Sequence, residues 1–262
     1  MSMGRYLLLG MIAGLIAGVL AFGVGKVWGE PPVAAAIALE EAGSAAEAPA
    51  AADHHHGTAP DSAEPAGHSH SDEGGISRAT QAGIGLLTGM AVFGAGLGGL
   101  FALVFALVQG RFSRLSAPGT AAAMALIGYV TLVLVPFLKY PANPPAVGHG
   151  ETIGLRTQLY FAMIALSLIA LVISVAVARG YADRWRGTVL GGLAYVVLMT
   201  GAARVLPAIN EVPASFPADL LWQFRSMSLM IEAVLWAGTG LIFGLLVARA
   251  QNAGPALQRR PA

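Results

Sequence analysis

The chain has 262 residues, 56% hydrophobic and 11% charged, with a formal net charge of +1 and no cysteine. A soluble domain usually carries about 25% charged residues, so this composition excludes an ordinary water-soluble fold. The lack of cysteine excludes thiolate metal sites, disulfides and thiol catalysis. Apolar runs long enough to cross a bilayer recur along the chain. They predict an all-α polytopic membrane protein with about six transmembrane helices and one long disordered His-rich outer loop.

The first run, Tyr6 to Val24, follows a single Arg5. Its length and the lack of a nearby Ala-x-Ala site argue against a cleaved signal peptide. Gly10, Gly14 and Gly18 recur every fourth residue, a pattern that lets membrane helices approach closely. Residues 1–25 are therefore expected to form the first transmembrane helix.

Residues 26–80 differ in kind. Ala, Pro, Glu, Ser and Gly dominate there, together with most of the acids and histidines of the chain. Low complexity and scattered charge predict a flexible extracytoplasmic loop. The alanines of Val33 to Ala42 suggest a short helix within it. His54, His55, His56, His68 and His70 are its clearest chemical signal, with Asp53, Asp61, Asp72 and Glu73 nearby. Neutral imidazole suits cobalt, nickel, copper and zinc. The spacing matches no closed structural zinc motif, which points to a loop that collects metal. The plain alternative is a solvated polar loop that binds metal incidentally.

Five further runs follow: Gln81 to Val108, Gly119 to Leu138, Gln158 to Ala178, Thr188 to Leu206 and Met227 to Ala248. Residues 81–249 are expected to form a five-helix bundle, and 250–262 a cytoplasmic tail. Gly85 and Gly89, Gly94 and Gly98, and Gly240 and Gly244 predict close helix contacts. Between the second and third of these runs lies a Pro-rich outer loop, 139–157, with the sequence KYPANPPAVGHGETIGLRT. Pro141, Pro144 and Pro145 remove backbone donors and exclude a regular helix there. His149 and Glu151 within it are candidate metal ligands, although both also suit ordinary turn and cap chemistry.

Glu232 is an acid inside the last apolar run. A charge in that position is costly and marks a functional candidate. It follows Arg225 by seven residues, roughly 10 Å along a helix axis. Ser228 and Arg225 fall on the same face. Glu232 is suited to binding a cation or carrying a proton; the alternative is a structural ion pair with Arg225 or Arg204.

The connecting segments alternate in charge. Arg5, Arg111, Arg114, Arg179, Arg184, Arg186, Arg249, Arg259 and Arg260 share their set of connections with one acid, Asp183. The other set holds Lys26, Arg78, Lys139, Arg156, Arg204 and Arg225 amid a large excess of acids. The positive-inside rule puts the first set, and both termini, in the cytoplasm. Each outer connection also carries Pro and Glu and then an Arg beside Ser or Thr, which fits three repeated helical hairpins; the plain alternative is that Pro and Ser/Thr-Arg are common at helix entrances. No Walker A pattern, His-Glu-x-x-His or Gly-x-Ser-x-Gly occurs, so no enzyme is expected. No basic patch with interleaved aromatics suggests nucleic acid.

The run GMIAGLIAG, the His-bearing loop and above all FLKYPANPPAVGHGETIGLRTQLYF resemble the CbtA family of predicted cobalt transporter subunits. The resemblance covers nearly the whole chain. It implies an integral membrane subunit for cobalt uptake, tied to cobalamin supply. It also implies a small CbtB-type partner with one membrane helix. It brings no residue roles, so the candidate ligands rest on their own chemistry: His54, His55, His56, His68, His70, His149, Glu151 and Glu232.

The expected function is a subunit that moves cobalt, or similarly nickel or zinc, across a bacterial cytoplasmic membrane. The metal would be captured by the His-rich loop and passed through the helix bundle, with no resident cofactor. The alternative is a membrane scaffold or assembly subunit that binds metal without forming a path.

Overall fold

A computed structural model describes residues 1–47, 77–111 and 115–257. All regular structure among the described residues is helical. Among the described residues, six helices are long and apolar enough to cross a membrane. They are α1 (Met3–Ser44), α2 (Arg78–Val108), α3 (Ala117–Lys139), α4 (Gly150–Arg179), α5 (Arg184–Val205) and α6 (Ala218–Asn252). Helices are the expected solution in hydrocarbon, where each backbone group must find its partner within the segment. The six-helix membrane fold read from the sequence is the one the chain adopts.

The helix ends differ from expectation. The first helix does not stop at Val24. It continues through a π-helical turn, Gly25–Gly29, into a further helical stretch, Glu30–Glu47. The first part of the expected loop 26–80 is therefore helix. Pro31 and Pro32 do not break it. A proline cannot bond the carbonyl four residues back and crowds it. Those carbonyls belong to Val27 and Trp28, inside the wider π turn. The same arrangement recurs in α3, where Pro136 follows the π-helical turn Tyr129–Leu134. At the other end of the chain the last helix runs to Leu257, into the expected tail. Within the loop 139–157, helix resumes at Ile153 after a single 3₁₀ turn, Gly150–Thr152.

Glycines set the packing. A methyl group on Gly14 would overlap the carbonyl of Gly94, and one on Gly10 that of Gly98. Gly18 meets the backbone of Met90 in the same way. The stripe read in the first helix thus holds α1 and α2 backbone to backbone. Gly240 lies on Ala121 and Ala125, and Gly244 on Pro118, so α6 packs along α3. Gly238 sits beside Ala17, which brings α6 against α1 as well. Gly89, by contrast, faces open space, and Gly85 meets only Thr80 of its own helix. That pair makes no helix contact.

Phe101, Phe105, Trp236 and Phe243 fill the centre of the group α1, α2, α3 and α6. The Phe105 and Phe243 rings stand edge to face with centroids 4.9 Å apart, a favoured arrangement for aromatic pairs. Helices α4 and α5 form a second unit, with Gly187 and Gly191 against Ala178 and Ser174. Ser167 of α4 joins the two units. Its hydroxyl donates to the Thr131 carbonyl of α3 at 2.6 Å and shares a hydrogen bond with the Tyr195 hydroxyl of α5 at 2.7 Å.

This packing does not follow three equivalent hairpins. Helix α1 pairs with α2, but α5 pairs with α4 and α6 with α3. The repeated Pro, Glu and Arg of the connections therefore reflects shared end chemistry rather than a repeated unit. The contacts are antiparallel, so one end of the bundle gathers the α3–α4 and α5–α6 connections. The other end gathers the α2–α3 and α4–α5 connections.

Candidate functional site

The proline-rich connection folds into a wall. Pro144 and Val147 are buried, and the Val147 amide donates to the Pro144 carbonyl at 3.2 Å. Gly148 has a φ of 113°, and a side chain there would strike the Arg156 guanidinium. Only glycine accommodates both demands. The Tyr140 hydroxyl donates to the Pro207 carbonyl at 2.7 Å, tying this wall to the α5–α6 connection.

Two arginines complete the tie. Arg156 pairs with Glu211 at 3.1 Å. The His149 backbone amide also donates to Glu211, at 3.3 Å. Arg225, near the start of α6, donates from Nε to the Ala142 carbonyl at 3.2 Å and from Nη2 to Asn143 Oδ1 at 3.0 Å. Between these groups lies a cavity of ≈ 360 Å³. Tyr140, Asn143, Arg156, Tyr160, Glu211 and Arg225 are its polar and aromatic landmarks.

Glu211 is nearly buried, its side chain 8% exposed. A hydrogen bond from the Thr152 hydroxyl, then the His149 amide and the charges of Arg156 and His149, hold its carboxyl below the ordinary glutamate range. It is an anion at neutral pH. Arg225 has no carboxylate partner among the described residues. The cavity wall therefore carries two guanidinium charges against one carboxylate.

Glu232 lies two helical turns beyond Arg225 on α6, partly buried. Among the described residues it has neither a hydrogen bond nor an ion pair. The ion pair with Arg225 or Arg204 is not formed, because Arg225 is turned toward Ala142 and Asn143 and Arg204 is exposed. The Glu232 carboxylate is within electrostatic reach of Tyr129 on α3 and Tyr160 on α4. Arg225 lines the cavity, so this acid lies two helical turns beyond the cavity along α6. The Tyr129 hydroxyl is occupied elsewhere, donating to the Leu229 carbonyl at 3.3 Å. Seven residues further along α6, Thr239 is fully buried and its hydroxyl has no hydrogen-bond partner among the described residues. Arg225, Glu232 and Thr239 thus share one face of the helix.

The other candidates are not drawn together. His149 and Glu151 are exposed, and His149 contributes backbone rather than imidazole to the wall. Among the described residues no three His, Asp or Glu side chains converge to hold a metal. His54, His55, His56, His68 and His70 lie outside the described residues. Glu211 was legible in the sequence only as the acid of one outer connection. Its partner Arg156 lies in another, and nothing local linked them.

A family model described as CbtA, probable cobalt transporter subunit, matches residues 3–248. The match takes in nearly the whole chain, which belongs to that family. No curated protein and no solved structure matches the chain.

Proposed function

We propose that this CbtA-family subunit passes cobalt, or a similar divalent transition metal, across a membrane along the seam between α3, α4 and α6. The observation that carries the reading is Glu232. On insertion scales an acid near the middle of a membrane helix costs about 3 kcal/mol. Here that cost is not offset by a hydrogen bond or ion pair among the described residues. A carboxylate kept in such a place is suited to meeting a cation or a proton in transit. The cavity above it is the entrance.

The charge distribution supports an orientation. Arg5, Arg111, Arg179, Arg184, Arg186 and Arg249 lie toward the end opposite the cavity. Under the positive-inside rule that end faces the cytoplasm of a bacterium, with both termini there. The cavity then opens outside, as does the His-rich segment between α1 and α2. The histidines gather metal near the entrance. His149 and Glu151, both exposed on the connection that forms the cavity wall, are the side chains proposed to hand it on.

The family description as a subunit implies a partner in a complex. The partner proposed here is a CbtB-type protein of one membrane helix. The test is cobalt accumulation in cells making this chain with and without that partner. Uptake above background with the pair supports the reading. Background uptake under both conditions rejects it.

A further inference from the structure

The cavity is poorly suited to a bare cation. Glu211 is the only acid among its lining residues, and it is already engaged by Arg156. Arg225 bonds only neutral groups, the Ala142 carbonyl and Asn143 Oδ1. Those two bonds fix the guanidinium plane against the wall without cancelling its charge. Its remaining N–H donors have no partner among the described residues. A guanidinium presents its donors as a planar fork that matches a carboxylate. Tyr160 adds a hydroxyl to the same wall, and Phe137, Val147 and Ile209 supply apolar surface. The volume of ≈ 360 Å³ is that of a small-molecule site.

We propose that this cavity binds a small carboxylate-bearing anion, with Arg225 as its principal contact. Two sources share that chemistry. One is the free carboxylate. The other is a divalent metal already chelated by a carboxylate ligand; this source rests on the transport reading. The chelating ligand would screen the metal from arginines that repel it when bare.

The test is binding to the purified full-length chain in detergent at neutral pH and low salt. The probes are citrate, preformed Co(II)–citrate and Co(II) chloride. Citrate or its cobalt complex binds, and Arg225→Gln weakens binding at least about tenfold, as expected when a charged donor pair is lost. Arg225→Lys keeps the charge but loses the fork, and falls between the two. Tighter binding of the complex identifies the chelate as the source. Equal or tighter binding of free citrate identifies the free anion.

The proposal is overturned if neither citrate form binds. It is equally overturned if Arg225→Gln binds as wild type does. Should Arg225→Gln fail to fold, Arg225→Lys decides alone. Citrate binding by that variant as tight as wild type, or Co(II) chloride bound more tightly than either citrate form, rejects the anion site. Failure of cobalt accumulation in cells with citrate still bound by the purified chain rejects transport and leaves the anion site standing.

Discussion

Two acids, Glu211 and Glu232, occupy opposite kinds of surroundings. Glu211 is held by the Thr152 hydroxyl, the His149 amide and Arg156, and its carboxyl titrates below the ordinary value of 4.5. A carboxyl lowered in the folded state adds stability above its unfolded pKa. That contribution fades as pH falls through the lower folded value. The wall formed by 139–157 and the α5–α6 connection should therefore hold above 4.5 and loosen as pH falls below it. Hydrogen exchange across residues 141–157 should rise there in the wild type. In Glu211→Gln it should already be raised at neutral pH and lose most of its acid dependence. Unchanged exchange at neutral pH in that variant would mean that the Arg156 pair does not hold the wall. Glu232 stood out in the sequence because it is a lone acid in an apolar run. Glu211 did not, because its role exists only once two connections, 55 positions apart at Arg156 and Glu211, have met.

At the scale of the helix, glycine positions divide into those that touch a neighbour and those that do not. Gly14→Ala places a methyl group on the Gly94 carbonyl. Overpacking of this kind costs about 1–3 kcal/mol. Gly89→Ala meets nothing within 4 Å and should change stability by no more than about 0.5 kcal/mol. Thermal unfolding of the two variants in detergent measures the difference; equal melting would contradict the α1–α2 contact. The sequence showed the stripe Gly10, Gly14 and Gly18 because its period matches a helix face. It could not separate Gly94 and Gly98 from Gly85 and Gly89, which share that period but face different surroundings. The long first helix was also hidden. Glu30-Pro31-Pro32 reads as a stop, and only the π turn before it lets the helix continue.

At the scale of the whole molecule, the number of helices was legible because each apolar run matches the thickness of a bilayer. Which helices pair was not, because chain order suggests hairpins while the contacts join α3 to α6 and α4 to α5. That exchange of partners brings Tyr129 of α3 onto α6, where its hydroxyl donates to the Leu229 carbonyl. The His-rich segment belongs to the same scale, since it joins α1 to α2 in the sequence. Deleting Asp53 to Asp72 should lower cobalt accumulation at trace metal and leave it unchanged when metal is plentiful. Unchanged accumulation at trace metal would remove the capture role from those histidines.

The central claim is that Glu232 lies in the path of the transported ion. It is tested most directly by radiocobalt accumulation in cells making the chain and the proposed one-helix partner, wild type against Glu232→Gln. The variant removes a costly intramembrane charge, so its amount in the membrane and its melting should be equal to or above wild type. Accumulation should fall by at least about tenfold, the change that a loss of about 1.4 kcal/mol of ion binding in the path gives. Wild-type accumulation by a Glu232→Gln chain present at wild-type levels would contradict the account and leave a scaffold that binds metal without passing it.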